Sequence, residues 1–186
     1  MYEIKEWNES IDLSDFYAEA RKRGLHNNDS HESMIKPFED LPNTTVLLLY
    51  YNNEVVGTAI SHPFDEYEEG SYRIFARLCM FTDKTPLQRV GTIVEAFKYH
   101  QNTTSRFFLP EFAKRIDANM YFTTHPEDTG AMKMVHKVAA KAFAKYGDAE
   151  YMGQFDYRGR DQSVWKVNTE KWLSELDRYP IYDHLT

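Results

Sequence analysis

Ser71 to Gln101 read SYRIFARLCMFTDKTPLQRVGTIVEAFKYHQ, and this stretch predicts a long strand, a tight turn and a helix. From Tyr72 to Phe81 the residues are aromatic, apolar or arginine, without Pro or Gly, which is typical of a central strand. Thr85 followed by Pro86 is a helix-start signal. Apolar residues then recur at helical spacing, so the helix has a face to pack on the sheet: Val90, Ile93, Val94 and Phe97.

The first turn of this helix has the composition of a phosphate-binding site. A helix N-terminus presents unpaired N–H groups and the positive end of the helix dipole. Arg89 would add a charge-assisted hydrogen bond to a phosphate, and Gly91 would allow the backbone to approach it closely. The alternative is that Arg89 is a solvated surface side chain. The stretch therefore indicates a phosphate-bearing ligand.

The other elements can be placed on either side of this stretch. Before it, the sequence predicts a strand at Tyr2 to Trp7, a helix from a Ser10 or Asp12 cap to Arg23, a short helix from Asp29 that ends before Pro37, and a hairpin of Thr44 to Tyr51 and Glu54 to Ser61. After it, the sequence predicts a strand at Asn119 to Thr124 and a helix from Asp128 or Thr129 to Tyr146. A hairpin of Glu150 to Tyr157 and Gln162 to Asn168 and a last helical turn at Lys171 to Asp177 follow. Between the central helix and Asn119 we expect a loop with one short helix around Pro110 to Ile116. Its Phe107, Phe108 and Phe112 either tuck under the domain or form a contact surface.

Length and composition limit the class of protein. The 186 residues fit one domain, 1–186, in which 169–186 form a C-terminal helix and tail. The balance of 22 basic and 29 acidic residues gives a net charge of −7, which disfavours general nucleic-acid binding. The single cysteine, Cys79, excludes an internal disulfide and is interpreted as a core residue.

The sequence also predicts a cytoplasmic protein without a membrane span. No apolar run approaches the roughly 18 residues that a membrane helix needs, and MYEIKEWNES has no signal-peptide pattern. A polar segment contains side chains that can bind metals, but their spacing matches no standard site, so no metal site is predicted: His26, Asp29, His31 and Glu32.

The order of these elements resembles that of the GCN5-related N-acetyltransferase (GNAT) superfamily over nearly the whole chain. The resemblance implies an α/β (α+β) fold, with a mixed, mostly antiparallel sheet of about seven strands flanked by helices. In that superfamily the loop after the fourth strand has the pattern Gln/Arg-x-x-Gly-x-Gly/Ala and binds the pyrophosphate of acyl-CoA. Here Gln88-Arg89-Val90-Gly91-Thr92-Ile93 matches the first two fixed positions and departs from the third.

The resemblance implies acetyl-CoA, or another acyl-CoA, as the cofactor. Its pyrophosphate would be held by Gln88, Arg89, Val90, Gly91 and Thr92. The pantetheine arm would lie between the strand that ends at Phe81 and the strand that ends at Thr124. Backbone N–H groups near Met80 and Phe81 would then hydrogen-bond the thioester carbonyl, which is oxyanion-type stabilisation.

The resemblance also locates candidate catalytic residues. The later helix of the family often carries Asn, then Ala three residues on, then Tyr four beyond that as general acid. Alignment on Ala131 places Asp128 and Val135 at the Asn and Tyr positions, so the usual acid is missing. His136 and His125 are the nearest replacements, because an imidazole can take a proton from an amine near neutral pH.

Three functions follow from these observations. The first is an acyl-CoA-dependent N-acyltransferase whose amine acceptor is a small molecule or a protein. The acidic link of Asp65, Glu66, Glu68 and Glu69 is either a solvated hairpin tip or a site for a cationic acceptor.

The second function is a catalytically inactive GNAT-like protein of the phage virion or accessory type, which forms a homo-oligomer or binds a protein partner through its aromatic surface. The missing loop glycine and the missing Tyr favour it. The third is a Mom-like enzyme that modifies DNA bases, and the acidic net charge disfavours it.

Overall fold

A seven-stranded sheet forms the centre of the protein, in the order β1-β2-β3-β4-β5-β7-β6. The computed structural model describes residues 1–22, 31–81, 93–125 and 131–180. The strands are β1 (Tyr2–Glu6), β2 (Thr45–Tyr51), β3 (Glu54–Pro63), β4 (Tyr72–Met80), β5 (Met120–Thr124), β6 (Ala149–Asp156) and β7 (Asp161–Val167). Neighbouring strands run antiparallel except β4 and β5, which are parallel. The predicted fold class is therefore confirmed.

Helices cover both faces of the sheet. They are α1 (Ser14–Lys22), α2 (His31–Met34), α3 (Lys36–Glu39), α4 (Ile93–Thr103), α5 (Leu109–Arg115), α6 (Ala131–Tyr146) and α7 (Thr169–Ser174). Phe16, Tyr17 and Ala20 of α1 pack with Leu48 of β2 on one face. The helices from α4 onward pack on the other face, where the core includes Phe112, Phe143 and Trp172. No helix in the described ranges is long and apolar enough to cross a membrane.

The β2–β3 hairpin forms as predicted. Asn52 and Asn53 join the strands with φ angles of 49° and 68°, the conformation that a two-residue hairpin turn requires. The register of the two strands shifts next to Gly57, which marks a β-bulge. A side chain at Gly57 would meet Met80 Cγ at 3.1 Å and the Cys79 carbonyl oxygen at 3.3 Å. The glycine therefore lets β3 and β4 approach closely.

The loop predicted after the central helix is wrong, because α4 continues through a π-helical turn, Thr104–Phe108, directly into α5. Burial explains the difference. Ser105 is completely buried, and its hydroxyl oxygen accepts a hydrogen bond of 2.9 Å from Trp172 Nε1. Pro110 lies in the first turn of α5, where its missing N–H is tolerated.

The aromatic residues of this segment belong to the core. Phe108 and Phe112 are fully buried, and the ring of Phe107 packs 5.1 Å from that of Tyr2. Of the two interpretations of these residues, the one in which they tuck under the sheet is confirmed. They do not form the exposed aromatic contact surface that an oligomer or a protein partner would need.

Candidate active site

The sheet opens between its two parallel strands. β4 and β5 pair only at Tyr72 with Met120 and at Arg73 with Tyr121. Beyond these pairs the strands diverge, so a gap separates the C-terminal part of β4 from that of β5. Ligands of mixed sheets commonly bind beyond the carboxyl ends of parallel strands, where such a gap creates space.

Two bulges in β4 accompany this divergence. Phe75 and Arg77 have φ angles of 57° and 53°, and the register of β4 against β3 shifts at both places. Each bulge inserts one residue, bends the strand and increases its twist. Strict alternation predicts Ala76 on the same face as Ile74 and Leu78. Instead Ala76 packs with the α1 side of the core, so that part of the predicted alternation is wrong.

A cavity of about 250 Å³ occupies the gap. Its walls come from the ends of β4 and β5, from α4 with the π-helical turn, from α6 and from the start of β7. Apolar residues such as Leu78, Phe122 and Phe143 form much of its lining, and its titratable side chains are three arginines and three histidines: Arg73, Arg77, Arg160, His100, His125 and His136. Within the residues that the structure describes, no group of histidine, cysteine and carboxylate side chains could hold a metal ion.

The two histidines predicted as catalytic, His125 and His136, both line this cavity. They come from different elements, since His125 follows β5 and His136 lies on α6. Within the part of the chain that the structure describes, neither ring nitrogen of His125 has a hydrogen-bond partner, so the side chain can bond a ligand. The structure therefore brings both candidates to one site, while their catalytic roles stay a proposal.

His100 is a third histidine that the sequence reasoning missed. Its side chain is buried without a hydrogen-bond partner for either ring nitrogen, and its ring centroid lies 4.8 Å from that of His136. Burial, with a smaller effect from His136, holds the pKa of His100 well below its ordinary value, so this imidazole is neutral. The spacing of Ile93, Phe97 and His100 places the histidine on the apolar stripe of its helix, a signal that could have indicated its inward position.

Backbone amides at the end of β4 differ in availability. The Phe81 N–H donates to the Val56 carbonyl oxygen at 2.7 Å, so it is already paired with β3. Met80 lies opposite Gly57. The bond between Phe81 and Val56, one residue further along each strand, identifies Met80 and Gly57 as a non-hydrogen-bonded antiparallel pair. The Met80 N–H consequently points away from β3, toward the gap. Of the two predicted oxyanion donors, Met80 is the one whose amide is oriented for that role.

The predicted pyrophosphate-binding residues Gln88, Arg89, Val90, Gly91 and Thr92 lie outside the described residues. The described part of the following helix begins at Ile93. β4, which forms one side of the gap, ends at Met80, and the predicted pyrophosphate motif begins at Gln88.

The acidic link before β4 has structural roles. The Asp65 carboxylate accepts from the Gly70 N–H at 2.7 Å, and Glu68 accepts from the Tyr121 hydroxyl at 2.6 Å. Glu66 forms an ion pair of 3.2 Å with Arg158. Because these carboxylates already have protein partners, the arrangement favours the hairpin-tip interpretation over a site for a cationic acceptor.

The class of protein that shares this architecture can now be stated. A mixed sheet of seven strands, opened between parallel central strands and flanked by helices on both faces, is the fold of the GNAT acetyltransferases. The fold expected from the sequence resemblance is thus confirmed. No protein-family model matches the sequence, and the curated proteins include no significant match.

Solved structures identify individual proteins with this fold. Aminoglycoside acetyltransferase AAC(6')-Ib, in complex with coenzyme A and kanamycin, superposes with a TM-score of 0.61 at 12% identity, over 94% of this chain and 99% of that one. An N-acetyltransferase from Staphylococcus aureus Mu50 gives a TM-score of 0.54 at 14% identity, over 91% and 99% of the two chains. A probable acetyltransferase from Staphylococcus epidermidis gives 0.51 at 12% identity, over 90% and 98%. At these identities the likeness establishes the fold alone.

Proposed function

We propose that this protein is an acyl-CoA-dependent N-acyltransferase that transfers an acetyl group to an amine by direct attack on the thioester. The observation that carries the proposal is the gap between β4 and β5, with a cavity lined by three histidines. The AAC(6')-Ib structure with bound coenzyme A supports it, because that protein has the same fold. We place the enzyme in the cytoplasm, where acyl-CoA is present and the buried Cys79 stays reduced.

The residues of the gap fit an acyl-CoA arm. An arm lying between the strands would bring a thioester carbonyl to the Met80 N–H, which has no partner on β3. Apolar residues in the cavity wall, such as Leu78 and Phe122, lower the local polarity, and this strengthens a hydrogen bond to a developing oxyanion. Gln88, Arg89, Val90, Gly91 and Thr92 are the residues we assign to the pyrophosphate. Bound acetyl-CoA would supply the activated acyl group.

His136 is the residue to which we assign proton transfer. As the amine nitrogen bonds to the thioester carbon, the C–S bond would break and CoA would leave as a thiolate that takes up a proton. The nitrogen must lose a proton as it becomes acylated, and a neutral imidazole beside the reacting atoms can accept that proton. His100 lies against His136 and is itself held neutral by burial. His100 therefore adds no positive charge that would oppose protonation of His136. His125, at the end of β5, is the second candidate for the same role.

Titration calorimetry tests the cofactor assignment. The full chain is titrated with acetyl-CoA, and in parallel with desulfo-CoA and ADP as partial ligands. We expect acetyl-CoA to bind and ADP to retain part of the affinity, while Gly91→Glu abolishes binding and leaves the unfolding transition unchanged. Unchanged affinity in Gly91→Glu contradicts the pyrophosphate assignment, and an absence of binding at millimolar acetyl-CoA contradicts the proposed function.

The His136→Gln variant tests the catalytic assignment in the same preparation. We expect acetyl-CoA affinity to be retained and turnover to fall about 10²- to 10⁴-fold, the range for loss of a general base. Lys141→Gln, on the exposed side of the same helix, is the matched control and should retain full turnover. Equal turnover in both variants would remove His136 from the mechanism and direct attention to His125.

A further inference from the structure

A second cavity, of about 270 Å³, lies on the face of the sheet that carries α1 to α3. Its walls come from the region of α3, from the end of β3, from the bulged part of β4 and from the β6–β7 turn: Phe38, Leu41, His62, Arg73, Ala76, Arg77, Tyr157, Arg158, Arg160 and Gln162. Arg73, Arg77, Arg160 and Gln162 also line the first cavity. The two cavities therefore meet at these residues, one on each face of the opened sheet.

The lining of the second cavity is strongly cationic. Four of its residues are arginines, Arg73, Arg77, Arg158 and Arg160, and none is Asp or Glu. Arg158 is compensated by its ion pair with Glu66. The structure records no ion pair for the other three within its described ranges. This excess of positive charge stands out in a chain whose net charge is −7.

Arg73 is the central residue of this group. Its Nε is buried and has no hydrogen-bond partner among the described residues, and its guanidinium lies over the Tyr157 ring at 5.1 Å from the ring centroid. The Arg158 guanidinium lies 5.0 Å from the same ring centroid. Burial lowers the pKa of Arg73, although Tyr157 partly offsets this effect, and nearby Arg77 lowers the pKa further. An anion in the cavity would satisfy the buried N–H donor and neutralise the mutual repulsion of the guanidinium groups.

We propose that this cavity binds the acceptor through a carboxylate or phosphate group, so that the acceptor is an amine that also carries an anion. The inference rests on the proposed function. The acceptor would be anchored in this second cavity, the arginine cavity, and its amine would extend into the adjoining first cavity, the histidine cavity, which is lined by His100, His125 and His136. A guanidinium donates parallel N–H bonds to either anion, so the two share one recognition chemistry. The cationic acceptor suggested by the acidic link and the negative net charge is replaced by an anionic or zwitterionic one.

Paired acceptors test this specificity directly. Acetylation is measured with alanine and alaninamide, with phosphoethanolamine and ethanolamine, and with spermidine as a polyamine without an anion. We expect kcat/KM to fall about 10- to 100-fold when the anion is removed, the equivalent of a hydrogen bond to a charged group. A comparison of the two anionic acceptors, alanine and phosphoethanolamine, shows whether the anion is a carboxylate or a phosphate. Equal rates within both pairs, or preference for spermidine, would overturn the proposal.

Variants locate the anion. Arg77→Gln and Arg160→Gln remove the charge and keep a polar side chain at exposed positions, so the fold should be retained. Each should raise KM for the anionic acceptor about tenfold. Lys145→Gln, which removes an exposed positive charge at the end of α6, is the control and should behave as wild type. Normal acceptor KM values in both arginine variants would contradict the assignment.

Binding of inorganic phosphate and acetate to the full chain, without acetyl-CoA, separates this proposal from the proposed function. Anion binding that Arg160→Gln weakens, together with no binding of acetyl-CoA, supports the arginine site and contradicts the acyltransferase. Acetyl-CoA binding together with anion affinities that Arg77→Gln and Arg160→Gln leave unchanged supports the acyltransferase and contradicts the arginine site.

Discussion

His62 and His100 are buried histidines on opposite faces of the sheet, and both are held in the neutral form. Burial lowers the pKa of His62 from its ordinary value of 6.5 to about 4, despite a hydrogen bond of 2.7 Å between Nδ1 and the Pro63 carbonyl oxygen. That carbonyl can only accept, so Nδ1 carries the proton and Nε2 is the free acceptor. Since His62 lines the arginine cavity, its neutral ring contributes a hydrogen-bond acceptor there and no further positive charge.

The depressed pKa of His62 predicts a loss of stability in mild acid. Between pH 6.5 and about 4 the unfolded chain binds a proton that the folded chain does not, so the free energy of unfolding decreases as the pH falls through this window. We expect about 3 kcal/mol from His62 over the full window. Urea denaturation at several pH values measures it, and His62→Gln should have a flatter profile. Parallel profiles for the two proteins would show that His62 does not titrate in this way.

Sequence reasoning at the residue scale succeeds where one element determines the outcome. Asn52-Asn53 specifies its hairpin because the turn needs positive φ at both residues. It fails where distant elements meet. Arg73 and Arg160 lie far apart in the sequence, and only the opened sheet brings them to one cavity. His100 resembles any residue of an apolar stripe until α6 places His136 against it.

Two of the elements that border the histidine cavity depart from regular geometry. β4 carries two bulges, and the long helix after it carries a π-helical turn at Thr104–Phe108. Hydrophobic periodicity predicts regular strands and helices, and an inserted residue changes that period only locally. The polar run QNTTSRFF therefore indicates a loop, although the burial of Thr104 and Ser105 makes it helical. Sequence patterns identified the elements here and missed the irregularities that create the site.

The hydrogen bond from Trp172 Nε1 to Ser105 Oγ fixes the π-helical turn to α7. Ser105→Ala leaves a buried indole N–H unpaired, and we expect the free energy of unfolding to fall by about 1–3 kcal/mol. Urea denaturation monitored by tryptophan fluorescence measures the change. Ser174→Ala, at an exposed position, is the control and should lie within about 0.5 kcal/mol of wild type. A similarly small effect for both variants would contradict the structural role of the Ser105 hydroxyl.

At the scale of the whole molecule, the end of the described chain is fixed to the sheet by buried polar contacts. The Tyr179 hydroxyl donates to the completely buried Asp148 carboxylate, which Arg178 also contacts at 3.3 Å. Arg106 Nε donates to the Tyr179 carbonyl oxygen at 2.6 Å. Burial and the bond to Asp148 raise the pKa of Tyr179, so the hydroxyl stays protonated and keeps donating. These contacts connect the last helical segment to the π-helical turn and to the start of β6.

Tyr179→Phe removes one donor from a buried carboxylate. We expect a loss of about 1.5–3 kcal/mol in the free energy of unfolding, the range for hydrogen bonds to charged groups. Thermal and urea unfolding measure it. Tyr151→Phe, whose ring is half-exposed against Trp165, removes a hydroxyl for which the described residues show no partner, and it should be nearly neutral. Equal stabilities of the two variants would mean that Arg178 alone is sufficient for Asp148.

Because β4 and β5 pair at only two positions, the central sheet consists of two smaller sheets that are weakly connected. β1 to β4 form one unit and β5, β7 and β6 form the other, and two residue pairs join them. Amides of β4 that face the gap are consequently exposed to solvent exchange in the interior of a sheet, as amides are at an outer edge. An extended ligand with its own amide groups would supply hydrogen bonds between the two units where β4 and β5 do not pair. A ligand in the gap would then connect the two units along the part of β4 that does not pair with β5.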